Sequence, residues 1–396
     1  MFKYLNLSHT RLRSLEWLQK NTVISRLDLR QTKLNFYDED SKYLKHLKIQ
    51  QAIHGDSFKL CCSKYAGSGV PAYNCFAPSD AISSCEHLIG DVIKRSLLWM
   101  IVTVGLVGNV ILVVVNLSYK RAELSQSDKA YVTNLGVSDF LRSVYAVLIL
   151  ESDVYHGDYY VIYESQWRES SLCTAAGFLL TLSCETSTMF VLLITLDRYL
   201  IFKNPLRPCK IPLVGLVASV FAVWVIGLVL AILPVLYPEW EIYSSNGMCL
   251  GIPVNMKRST GWTYSFVVFI VFNFLQLIFI IAGQIAIFKS IALSSDSQIN
   301  SPTNRIREIT VAKNLSLVVL SNFFCWFPVC VVGLMSASGH MFSPDTHGWL
   351  AICVIPLNSA VNPVLYTLPA VYQKWLNFYH GKLIAPREIN NRNAGK

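Results

Sequence analysis

The stretch Cys184-Glu-Thr-Ser-Thr-Met-Phe-Val-Leu-Leu-Ile-Thr-Leu-Asp-Arg-Tyr-Leu200 decides the fold. It is the lower half of an apolar run of about 30 residues, and it ends on Asp197-Arg198-Tyr199. Crossing roughly 30 Å of hydrocarbon at 1.5 Å per residue takes about 20 apolar residues. Only structures that satisfy their own backbone hydrogen bonds survive there. Outward from this run, six further stretches of the same kind lie between Leu97 and Leu368. One could be a buried soluble helix; seven in series predict a membrane bundle.

The spacing predicts helices over about 97–117, 130–150, 172–202, 213–236, 261–290, 306–336 and 347–368, then an amphipathic helix along the membrane over 370–379. Of the 396 residues, 53% are hydrophobic and 15% charged, against about 25% charged in soluble domains. The net charge of +9 includes no basic run of five residues, so nucleic acid is excluded as a partner. Lys120, Arg121 and Lys129, then Lys203, Arg207 and Lys210, then Lys289, Arg305 and Arg307, and the tail from Lys374 to Lys396 share one side. By the positive-inside rule that side is cytoplasmic, facing anionic lipid, and the N-terminus is outside. The opposite side carries Glu151, Asp153, Asp158, Glu164 and Glu169, an acidic segment suited to a basic peptide.

The first fifty residues repeat. Phe2, Leu5 and Leu7 recur as Ile24, Leu27 and Leu29, then as Leu44, Leu47 and Ile49, at periods of 22 and 20. This is a leucine-rich-repeat pattern, in which each unit stacks a short strand on its neighbour. No signal peptide opens the chain, and three repeats are few for a stable solenoid. We therefore expect upstream repeats and a signal sequence in the full gene product. Of eleven cysteines, Cys61, Cys62, Cys75, Cys85, Cys173 and Cys249 fall on the outside, an even number suited to an oxidising compartment. The first four allow three pairings. Asn6-Leu7-Ser8 is a weak glycosylation sequon, because Asn6 falls within a repeat strand.

The expected architecture is mainly α. It comprises a leucine-rich-repeat fragment of α/β solenoid type at 1–60, a cysteine-rich hinge at 61–95, a seven-helix domain at 96–369 and a cytoplasmic tail at 370–396. No phosphate loop, His-Glu-x-x-His run or nucleophile elbow is present, so we expect neither an enzyme nor a catalytic metal. A transporter would show paired broken helices and inverted repeats, which the sequence lacks.

The order Gly108-Asn109, Asn134 to Asp139, Cys173, Asp197-Arg198-Tyr199, Trp224, Cys249, Trp326-Phe327-Pro328 and Asn362-Pro363-Val364-Leu365-Tyr366 resembles the rhodopsin-like G-protein-coupled receptors over 96–380. Ser83-Ser84-Cys85-Glu86, LGVSDFL in helix 2 and QWRESSLC before helix 3 are similar to the leucine-rich-repeat branch, with the relaxin-receptor-like group nearest. The resemblance implies a plasma-membrane receptor that passes a relaxin- or insulin-like peptide signal to a heterotrimeric G protein. The alternative is a truncated, non-signalling decoy or dimerisation partner.

The resemblance also implies roles. Cys173 and Cys249 would form a disulfide. Asp197, Arg198 and Tyr199 would be the cytoplasmic switch, with Arg198 paired to Glu308. Trp326 and Pro328 would be the pivot of helix 6, and Asn362, Pro363 and Tyr366 that of helix 7. Asp139, Ser187, Asn358, Ser359 and Asn362 would surround an allosteric sodium ion, and no cofactor is expected. The chain departs from the pattern at Arg142, one turn from Asp139 on the same helix face. We expect Arg142 to pair with Asp139 or with Glu185 and to weaken sodium binding. Gln284 stands where relatives carry a tyrosine, and helix 5 lacks a mid-helix proline.

Overall fold

A computed structural model describes residues 2–12, 14–18, 22–32, 47–62, 74–77, 82–118, 125–203, 211–252, 260–293, 302–340 and 342–365, although side chains over 302–315 lie outside the description. The amino-terminal part is a four-stranded parallel sheet in the order β1 (Phe2–Asn6), β2 (Val23–Asp28), β3 (Lys48–His54) and β4 (Cys75–Phe76). Parallel neighbours one repeat apart are the signature of a solenoid, in which each strand buries its leucines against the next unit. Ile24, Leu27, Leu29, Ile53 and Leu60 are fully or almost fully buried there, with Leu15 beneath them. His9 and Gln31, which follow β1 and β2 at the same 22-residue spacing as the strand pairing, both turn through the left-handed region, at φ 60° and 55°.

The third repeat differs from expectation. Phe2 pairs with Ile24 and Leu5 with Leu27, as the 22-residue period requires. Ile24, however, pairs with Ile49 and Leu27 with Ile53, after an irregularity between Ile24 and Arg26. The counterpart of Ile24 is therefore Ile49, not Leu44, and Leu44 itself lies outside the described residues. The 20-residue alignment of leucines was a plausible register that the longer connection overrode. β4 extends the sheet through Ile53–Cys75 and His54–Phe76 pairs. Of the three hinge pairings left open, the chain has Cys61–Cys75 and Cys62–Cys85.

Among the described residues, seven helices are long and apolar enough to cross a membrane: Val92–Ser118, Gln126–Arg168, Ser171–Lys203, Leu213–Leu236, Trp262–Ala292, Ser316–Ala337 and Asp345–Leu365. They are called the first to seventh spans below. The predicted helices sit inside these bounds to within several residues at most ends. The third span is buried over most of its length, from Leu180 to Val191 without a break. The fourth turns Val214, Phe221 and Val229 outward, as lipid solvates apolar side chains. Ser125 opens the second span with a capping box: its hydroxyl accepts from Asp128 N, and the Asp128 carboxylate accepts from Ser125 N. The fifth span is not a plain α-helix, because Phe266–Phe272 is π-helical. Asn273 satisfies carbonyls at that irregularity, its amide donating to Val268 O at 3.2 Å and Phe269 O at 3.4 Å. The helix expected at 370–379 lies outside the described residues.

The second span carries an outer extension that the sequence reading left as an acidic loop. A 3-10 turn, Gly157–Tyr159, leads into a helix, Tyr160–Arg168. Its Val161 is fully buried within the core of the repeat sheet, alongside Leu60 and Cys62. This contact seats the sheet on the bundle.

Candidate functional site

Three groups of side chains line one path through the molecule. The outermost joins the sheet to the bundle. Lys59 Nζ lies 2.7 Å from Glu164 Oε2. The pair is angled outside hydrogen-bond geometry, and Lys59 donates instead to Ser165 Oγ at 3.0 Å. Glu164 Oε1 accepts from Arg168 Nη1 at 3.0 Å. Arg168 in turn donates to the carbonyls of Ser244 and Ser245 at 2.7 and 3.0 Å, and Trp167 Nε1 to that of Gly247 at 2.7 Å. These carbonyls belong to the loop that carries Cys249, and Cys249 is bonded to Cys173 near the start of the third span. Gly177 lets this loop approach, since a Cβ there would stand 2.4 Å from the Tyr243 ring and 2.6 Å from Cys249 O. The hinge is tied in separately. Asp153 accepts from Ile89 N at 2.9 Å and lies 2.9 Å from Arg95 Nε, while Lys94 Nζ reaches Asp345 at 3.1 Å. The acidic segment is thus not free for a basic peptide throughout. Asp153 and Glu164 are buried and internally paired, and Glu151, Asp158 and Glu169 are exposed.

The middle group surrounds Asp139, which has no exposed surface. Its Oδ1 accepts from Ser187 Oγ at 3.0 Å and its Oδ2 from Asn362 Nδ2 at 2.6 Å. Arg142 Nη1 stands 3.5 Å from Oδ1, and Nη2 donates to Ser183 O at 3.3 Å. Of the two partners considered for Arg142, the ion pair is with Asp139. Glu185 accepts from Asn273 Nδ2 at 3.0 Å instead. Ser187 and Asn362 therefore meet at Asp139. Asn358 and Ser359 make other hydrogen bonds: Asn358 Nδ2 donates to Asn322 Oδ1 at 3.2 Å while its own Oδ1 has no partner among the described residues, and Ser359 Oγ donates to Pro356 O at 2.7 Å and accepts from Ser143 Oγ at 3.4 Å. The Arg142 guanidinium thus faces the carboxylate at which a sodium ion was expected. Trp326, 3% exposed, packs in the apolar core above, two residues before Pro328, through which the helix continues to Ala337. Pro363 abuts Gly108 so closely that a Cβ there would meet its ring at 2.8 Å.

The innermost group is at the cytoplasmic end. Arg198, 3% exposed, donates to the Asp128 carboxylate, to Asp197 Oδ2 at 3.2 Å and to Ser125 Oγ at 3.4 Å. Asp128 so caps the second span and holds the third. Tyr199 is half-buried, with Lys203 Nζ 5.7 Å from its ring centre. The Glu308 side chain and Tyr366 lie outside the described residues. Gln284 accepts from Ser316 Oγ at 2.9 Å, joining the fifth and sixth spans.

Sequence reasoning missed Asp128, Lys59 and Asn273, and it took Glu164 for part of a peptide-facing acidic segment. Ser125-x-x-Asp128 at a helix start was the available signal for the first. Glu164 and Arg168, four residues apart, were the signal for a helix there. Lys59 and Asn273 had none. Asn6 is exposed at the end of β1, and its Oδ1 accepts from Ser8 N at 2.9 Å and Ser8 Oγ at 2.6 Å.

Residues 108–366 match the family described as 7 transmembrane receptor (rhodopsin family). The chain is 34% identical over 318 residues to the G-protein coupled receptor GRL101 of Lymnaea stagnalis, covering 79% of this chain and 27% of that protein. It is 26% identical over 331 residues to relaxin receptor 1 of Homo sapiens, covering 81% of this chain and 43% of that protein. The chain thus spans less than half the length of these relatives. Squid rhodopsin shares the fold with a TM-score of 0.56 at 16% identity, covering 73% of this chain and 88% of that one. The chain belongs to the rhodopsin family of seven-transmembrane receptors.

Proposed function

We propose that this chain is a plasma-membrane receptor that passes the signal of an extracellular relaxin- or insulin-like peptide hormone to a heterotrimeric G protein. In this reading residues 1–60 take part in capture, 61–95 form a hinge, 96–369 transduce and 370–396 face the cytoplasm. One observation carries it: the path from Lys59 in the repeat region through Glu164 and Arg168 to the loop tied by Cys173–Cys249 to the third span. A load on the sheet is thereby delivered to the helix whose other end holds Arg198. Two curated relatives bear the names relaxin receptor 1 and relaxin receptor 2, which supports the hormone class. Ligands bias a pre-existing equilibrium by differential affinity, so peptide bound at the sheet must favour one seating of the Tyr160–Arg168 helix over another.

The test is nucleotide exchange in membranes expressing the chain, with and without a panel of insulin-like peptides, and with Arg198→Ala as control. Peptide-dependent exchange that disappears in the control supports the proposal. Peptide binding without exchange, at confirmed surface expression, overturns it in favour of a non-signalling partner of longer receptors.

A further inference from the structure

We propose that Arg142 is the resident cation of the mid-membrane carboxylate, so that this receptor's switching is independent of sodium. This does not depend on which hormone it binds. An ionised carboxylate in the membrane interior is expensive unless it is paired and hydrogen-bonded. Asp139 has both. Its two oxygens accept from the third span through Ser187 and from the seventh through Asn362, and the guanidinium of Arg142 faces Oδ1 at 3.5 Å. Arg142 is itself wholly buried and is anchored on the Ser183 carbonyl. The guanidinium therefore sits where a mobile cation would be drawn.

A sodium ion has no comparable place here. Neither Asn358 nor Ser359 hydrogen-bonds Asp139: Asn358 Nδ2 donates to Asn322 and leaves its own Oδ1 unpartnered among the described residues, and Ser359 Oγ donates to Pro356 O and accepts from Ser143 Oγ. A second cation about 5 Å from the guanidinium would bind about two orders of magnitude more weakly at an effective dielectric of about 20. Because Arg142 is covalently part of the second span, its occupancy cannot vary with ionic composition. The carboxylate's hold on the third and seventh spans is then set by conformation alone.

The experiment melts this chain in lipid nanodiscs, in about 150 mM sodium chloride or the same concentration of N-methylglucamine chloride. The unfolding midpoint of the native chain is expected to be the same in both. Arg142→Leu frees Asp139 for an external cation, and sodium should raise its midpoint by about 2–4 °C. Arg142→Lys keeps a tethered cation and should remain indifferent. A sodium-dependent rise in the native chain that Asp139→Asn removes would overturn the proposal. So would a folded Arg142→Leu that ignores sodium. If Arg142→Leu fails to reach the membrane, recovery in Asp139→Asn/Arg142→Leu supports charge pairing. Failure of that double variant as well would assign Arg142 to packing and refute the idea.

Discussion

Replacing Glu164 by Ala should unseat the repeat sheet more than any other single change at the junction. Glu164 is the shared anion of two cations, with its side chain 5% exposed and that of Lys59 10% exposed. Removing one member of a fully buried pair costs about 3–5 kcal/mol, because the other charge remains desolvated. Here Lys59 keeps its bond to Ser165, and Arg168, with a third of its side chain exposed, keeps two carbonyls. The cost falls to about 2–3 kcal/mol. Lys59→Ala is milder, about 1–2 kcal/mol, since Glu164 retains Arg168. The readout is hydrogen exchange of the backbone amides of Tyr160–Arg168, which reports local opening. Exchange should rise about 30- to 150-fold in Glu164→Ala and clearly less in Lys59→Ala. A Lys59→Ala effect equal to or larger than that of Glu164→Ala would refute the charge accounting. Unchanged exchange in both would mean that the apolar contact of Val161 alone seats the sheet.

At the other end, Asp128→Asn retains a cap but loses the inter-helix anion that holds Arg198, leaving only Asp197 on its own helix, and basal nucleotide exchange should rise about 3- to 10-fold at equal surface expression; a fall would mean that Asp128 serves the active arrangement instead. In the repeat sheet, Arg30 donates to the Asp28 carboxylate at 3.0 and 2.6 Å and holds its pKa below the usual carboxylate range. A lowered carboxyl pKa contributes stability above its unfolded value of about 3.9 and loses it as pH falls through the folded value. Amide protection of β2 and β3 should therefore hold between roughly pH 5 and 8 and fall in acid below about pH 4, and Asp28→Asn should flatten that acid limb.

The sequence by itself determined the membrane class, the seven spans and their orientation. These are segment-local quantities: each helix satisfies its own backbone bonds, so apolar length and loop charge suffice to find it. Seven spans were legible for that reason, while the π segment at Phe266–Phe272 was not, since it depends on how the fifth span packs and on the Asn273 amide. The repeat was legible as a pattern, but its third register was not. Leucines at two offsets fit β3 equally well on paper, and pairing with β2 chose Ile49 over Leu44. Asp139 stood out as a charge in lipid, and Arg142 as its neighbour one turn away. That Arg142 keeps to Asp139 on its own helix, while Glu185 of the third span turns to Asn273 of the fifth, was decided by how helices far apart in the chain pack. The hinge pairing, the Arg198–Asp128 contact and the seat of the sheet on Tyr160–Arg168 are of the same kind. They are agreements between distant segments, which only the packed chain can settle.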